Sequence, residues 1–181
     1  MSQVVDIMIR EHALIKRWLQ ILTKAIVRVR TTQSIDPMMF DIFVDFFESY
    51  VDRTHHDKEE RIFFAELQKK QISPEHKEVM DRLITEHVQA RETVGKIVLK
   101  KNEYIQKNGE SINELLKYME FFAELYPEHI HVEDDKFFVE AINYFTPEEV
   151  AAMEAQFAQT QPEMAMEKYI AIVESLEAQF K

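Results

Sequence analysis

Apolar residues recur at spacings of three and four along almost the whole chain, and very little interrupts them. Val4, Ile7, Met8, Leu14, Ile15, Trp18, Leu19, Leu22 and Ile26 mark the first stripe, which predicts a helix over about residues 3–31. TTQSIDP breaks it, and Pro37 suits the first turn of the next helix, where its missing N–H is no loss. Met39, Phe40, Phe43, Phe47, Tyr50 and Val51 open a second stripe that continues to Leu67. ISPEH then stops and restarts the helix, with Ser73 as N-cap and Pro74 in the first turn. Val79, Met80, Leu83, Ile84, His87, Val94, Ile97 and Val98 carry a third helix toward Asn108-Gly109, a helix-ending pair. Ser111 opens a fourth, through Leu115, Tyr118, Met119, Phe122 and Leu125 to near Tyr144. With only 2 Gly and 5 Pro in 181 residues, sheets and turn-rich folds are excluded. The expected fold is all-α: an up-down-up-down four-helix bundle over 1–145.

Two further pieces follow. Thr146-Pro147-Glu148-Glu149 is a capped start for a short helix, and after Pro162 comes an amphipathic stretch with Met166, Ile170, Val173, Leu176 and Phe180. Residues 146–181 are therefore expected to form a helical extension of two helices. It is read as a lid on the bundle or as the contact of a homodimer.

Charge and composition remove whole function classes. A net charge of −11 repels nucleic acid and anionic membrane surfaces, so neither is an expected partner. The absence of cysteine removes disulfides, thiolate nucleophiles and sulfur-ligated metals. MSQVVDIMIREH meets charge too early for a signal peptide, and no apolar run approaches the roughly 18 residues of a membrane span. The expected compartment is the cytoplasm.

One pattern is written twice. HHDKEERIFF occupies 55–64 and HIHVEDDKFF occupies 129–138. Each places a Glu four residues after a His, as His55–Glu59 and His129–Glu133, then a second acid and two phenylalanines. The repeat extends upstream: His12, in Glu11-His12, precedes His55 by 43 residues, and His87, in Glu86-His87, precedes His129 by 42. That spacing is one helix and one turn, so each half reads as a helix pair, and a pseudo-twofold axis would bring four polar positions to one level. All six groups fall on or beside core faces. Buried imidazoles and carboxylates are costly unless paired or bound to metal, and a cation resolves both. Nitrogen and oxygen donors without sulfur suit iron or manganese, and zinc less exclusively. His56 and His131 fall off the inward line and are expected as outer or surface groups, and His76 as solvated surface. The ferritin-like alternative needs Glu-x-x-His on two helices, and only Glu128–His131 offers it.

REHALIKR, VDRTHHDKEERIFF, ITEHVQAR and YPEHIHVEDDKFF together resemble the hemerythrin-like proteins of the His-His-Glu cation-binding class. The resemblance spans residues 10–138 and implies a four-helix bundle around a non-haem di-iron centre. It makes His12, His55, His87 and His129 terminal ligands and Glu59 and Glu133 bridging carboxylates. It also implies dioxygen, peroxide or nitric oxide as the small ligand, with a peroxide- or nitric-oxide-reactive activity as one form of that function. The other form is an iron or redox sensor, or an iron-repair module, signalling through its C-terminal helices. Marine oxygen-carrying hemerythrins have His-x-x-x-His on the third helix, whereas here the second place is Arg91. One iron is then expected to be more open, or to recruit a group such as Glu60, His131 or a tyrosine. That departure favours redox turnover, sensing, or iron or nitric-oxide handling over oxygen storage. Pro127, two residues before His129, is expected to cost the fourth helix a backbone hydrogen bond.

Overall fold

The computed structural model describes residues 2–106, 112–160 and 163–181. Among these, six helices follow one another and no strand occurs. Helix α1 is Gln3–Thr32, started by the Ser2 hydroxyl accepting from the Val5 N–H. It ends where Gln33 turns left-handed at φ 52°. Helix α2 covers 37–67, begun by Pro37 behind an Asp36 cap. Helix α3 is Pro74–Gln106, with the Ser73 hydroxyl accepting from the His76 N–H at 3.1 Å. Helix α4 covers 112–141 and passes through Pro127 inside its span. Helix α5 is Pro147–Thr160, opened by a reciprocal cap: Glu149 N–H donates to Thr146 Oγ1, and Thr146 N–H to Glu149 Oε2. Helix α6 is Glu163–Gln179. The Asn108-Gly109 stop, the Ser111 start and the Pro162 break lie outside the described residues.

Two of the helices are not uniform. Within α2, Phe46–His56 and Glu59–Phe64 adopt π-helical pairing, and within α4 Glu133–Phe137 does the same. A π turn bonds i to i+5 and so takes in an extra residue, a rare geometry found mostly at functional sites. Here it carries His55, His56, Glu59 and Glu133.

Along each of the four bundle helices, one polar step separates two apolar clusters. One cluster holds Trp18, Phe43, Phe47, Met119 and Phe122. The other holds Met8, Phe63, Phe64, Leu83 and Phe137. Between them lie Glu11 and His12 on α1, His55, His56, Lys58 and Glu59 on α2, His87 on α3, and His129 and Glu133 on α4, all buried. The core is thus interrupted at one level by a layer of titratable groups.

The C-terminal helices lie on the bundle. Met153 and Phe157 of α5 join the second apolar cluster, and Tyr169, Val173 and Leu176 of α6 join the first. Glu177 takes a two-toothed hydrogen bond from Arg17 on α1, both contacts at 2.8 Å. His76 departs from its expected solvated place. It is partly buried, with Nδ1 2.9 Å from the Tyr144 hydroxyl and Nε2 3.1 Å from Glu140, and ties the start of α3 to the end of the α4 region. The cause is tertiary: residues 64 and more positions away supply both partners. No helix among the described residues is long and apolar enough to cross a membrane.

Phe157 is 1% exposed, whereas Phe121 is 37% exposed. Phe157→Ala is expected to cost about 3–5 kcal/mol in a denaturant titration, and Phe121→Ala under about 0.5 kcal/mol. Equal costs would show that α5 contributes no core.

Candidate metal centre

The structure brings all six residues of the doubled pattern into the polar layer. One ligand atom from each of His12, His55, Glu59 and Glu133 lies within 4.8 Å of the others. His55 Nε2 stands 3.1 Å from Glu59, His12 Nε2 3.3 Å from Glu133, and His129 Nε2 3.3 Å from Glu133. His87 Nε2 stands 3.5 Å from Glu59 and 3.1 Å from His129 Nε2.

His56 is the residue the periodicity misplaces. It is fully buried, stacks on His87 at 3.9 Å, and forms a second group of potential ligand atoms with His87 and His129. Periodicity of 3.6 residues per turn turns two adjacent histidines about 100° apart. The π pairing that ends at His56 breaks that count, and both neighbours face the core. The doubled His at 55–56 was the available signal. His131 does sit at the surface, its side chain 50% exposed and paired with Asp135.

Every imidazole of the layer is oriented the same way. Nδ1 donates outward to a carboxylate: His12 to Asp134 at 2.6 Å, His55 to Glu11 at 3.0 Å, and His56 to Asp52 at 3.3 Å. His87 donates to Glu60 at 2.8 Å and His129 to Glu86 at 2.7 Å. That bond keeps the Nδ1 proton in place and turns Nε2 inward, the arrangement of metal-ligating histidines. A cation then backs each carboxylate: Lys16 on Asp134, Lys58 on Glu11, Arg82 on Glu86, and Arg91 on both Glu60 and Asp52. Burial opposes ionisation of Glu11, Glu60, Glu86 and Asp134, but the histidine and the cation beside each outweigh it and lower the pKa.

The pseudo-twofold relation holds for the acids that orient His12, His55, His87 and His129, but not for every cation: Val132 and Ile7 stand at the positions related to Lys58 and Arg82. Glu11 precedes His12 yet bonds His55, and Glu86 precedes His87 yet bonds His129. Asp134 and Glu60 each follow an inner glutamate and bond His12 and His87. Lys16 and Arg91 stand four residues after those histidines and hold those acids. Arg91 therefore does not leave a gap: it fills the place opposite Lys16. Two further related positions differ. Ile130 stands where the first half has His56, and Tyr126 where it has Asp52.

The inner carboxylates have a different surrounding. The ion pairs of Glu59 and Glu133 run to histidines. All four of their oxygens, with His12 Nε2 and His56 Nε2, have no hydrogen-bond partner among the described residues. Burial works against a charged imidazole at His55 and at His129, yet Glu59 beside the one and Glu133 beside the other push both up to about 10. The layer draws in positive charge. His56 behaves oppositely: burial and its neighbouring imidazoles push its pKa well down, leaving a neutral ring with a free lone pair. Five inward nitrogens around two unsatisfied carboxylates, with no sulfur, form a donor set that fits metal cations.

The chain matches the hemerythrin HHE cation-binding domain over residues 3–141 and belongs to that family. It is an all-α protein with a metal-binding type of histidine–glutamate cluster. No curated protein and no solved structure matches it.

Lys58 and Glu11 form a buried pair in which each carries the other's charge. Lys58→Met leaves the buried Glu11 charge with His55 as its remaining partner among the described residues and is expected to cost about 1–3 kcal/mol in urea denaturation of metal-free protein. The double variant Glu11→Gln/Lys58→Met is expected to regain most of that loss. A single variant as stable as wild type would show that the pair is not needed.

Proposed function

We propose that the layer is a di-iron centre that binds dioxygen or reacts with peroxide or nitric oxide, and that the protein works in the cytoplasm. The observation that carries this reading is one buried layer in which four oriented imidazoles reach two carboxylates that have no hydrogen-bond partner among the described residues, with His56 grouped beside His87 and His129. His12 and His55 would hold one ion, and His56, His87 and His129 the other. Glu59 and Glu133 would bridge them through their two oxygens. This adds His56 to the six residues expected from sequence and supplies the fifth nitrogen in place of a second histidine on α3. Bound iron would supply a redox-active ion with room for a small ligand. The protein's share is to hold the lone pairs inward, fix the tautomers through the outer acids, and keep water out between two apolar clusters. Manganese or zinc would suit the same donors less specifically for redox work.

One observation favours a sensor as the second reading. A cavity of about 210 Å³ is lined by Glu11 and Lys58, which hold His55, and by Glu154, Phe157, Ala158 and Met166 of the two C-terminal helices. In that reading the extension 146–181 passes changes at the 1–145 unit to a partner.

Protein purified without oxygen is expected to carry about two irons per chain by metal analysis and to gain visible absorption on exposure to oxygen. His56→Ala is expected to bind the second iron at least about tenfold more weakly while the helical signal in circular dichroism stays unchanged. Full occupancy in that variant would remove His56 from the set, and iron-free wild type would sink the reading.

A further inference from the structure

Tyr126 stands one turn before His129 on α4 and is 3% exposed, yet its hydroxyl has no hydrogen-bond partner among the described residues. A buried phenol normally finds a partner, because leaving it unpaired is costly. The ring itself is well placed. Phe122 lies parallel to it at 5.2 Å, Phe47 meets it edge-on at 6.1 Å, and the rings of His129 and His56 lie 5.6 and 6.5 Å away. Packing therefore accounts for every part of the side chain except the oxygen.

That oxygen has no structural employment nearby. The twofold-related residue, Asp52, orients His56 and binds Arg91. Tyr126 has no such duty: His129 is already oriented by Glu86, and His56 by Asp52. The second asymmetry points the same way, since His56 replaces an isoleucine at the end of the layer where Tyr126 sits. These two departures among the layer's ring-facing positions lie beside His56, His87 and His129. A phenol is protonated near neutral pH, so its O–H is available as a donor. It stands beside the polar layer, next to the His129 and His56 rings.

We propose that the Tyr126 hydroxyl donates a hydrogen bond to a small anion held at the His56–His87–His129 end of the site. A hydrogen bond to an anion is stronger than one between neutral groups, and a buried donor needs only one acceptor to be satisfied. The enclosure limits the ligand to a few atoms, since all three histidines are at most 3% exposed. The proposal rests on the metal-centre reading.

Azide is the probe, titrated into iron-loaded wild type and Tyr126→Phe, with iron content and metal-free melting temperature measured on the same preparations. The variant is expected to hold its full iron, bind azide about tenfold or more weakly, and melt at the same or a higher temperature when metal-free, because phenylalanine removes an unpaired hydroxyl. Equal azide affinity at full iron overturns the proposal and leaves the metal centre standing, as does failure of azide to bind the iron-loaded wild type. Loss of iron from the variant makes Tyr126 a holder of the metal instead of a donor and overturns it too. A lower metal-free melting temperature overturns it by showing the hydroxyl to be structural. Wild type that takes up no iron overturns both readings.

Discussion

Two carboxylates in the middle of a helical bundle, Glu59 and Glu133, set the terms for everything around them. Both are fully buried, and their ion pairs run to imidazoles. Placing two such charges together in an apolar core is unfavourable unless positive charge meets them. The surroundings answer in two rings. Histidines supply the inner one, and a carboxylate backed by lysine or arginine fixes each histidine from outside. The outer acids stay charged because their cations are in place, whereas the four carboxylate oxygens at the centre have no hydrogen-bond partner among the described residues. That is where a cation belongs.

The layer also explains the placement of the apolar clusters. Trp18, Phe47 and Phe122 close it on one side and Phe63, Phe64 and Phe137 on the other. A water-poor environment strengthens each charge interaction within it. The C-terminal helices add to the same closure: α5 contributes side chains to one of the two clusters and α6 to the other.

Twofold repetition and its failures carry different information. Glu11 and Glu86, Lys16 and Arg91, Glu60 and Asp134 repeat because each half must orient its two histidines. Arg91 illustrates the point. Read against oxygen-carrying hemerythrins it looks like a lost histidine, but in space it is the counterpart of Lys16. Asymmetry at His56 and Tyr126 gives the two ends of the layer different donors, and Lys58 and Arg82 back their acids from unrelated positions.

The helices, their caps and the six doubled-pattern residues were legible in the sequence because each depends on local rules. Apolar period places a face, Ser73 and Thr146 cap the helices that follow them, and Pro37 and Pro74 start helices. The repeat of Glu-His and His-x-x-x-Glu at matched spacing was enough to put two helix pairs at one level. Three things were decided only by tertiary structure. His56 turns inward because α2 takes up π pairing there, which a 3.6-residue period cannot foresee. His76 leaves the solvent because Tyr144 and Glu140 arrive from far along the chain. For His12, His55, His87 and His129, the choice of which acid orients which histidine is made across helices, between residues 27 to 122 positions apart, where no local pattern reaches.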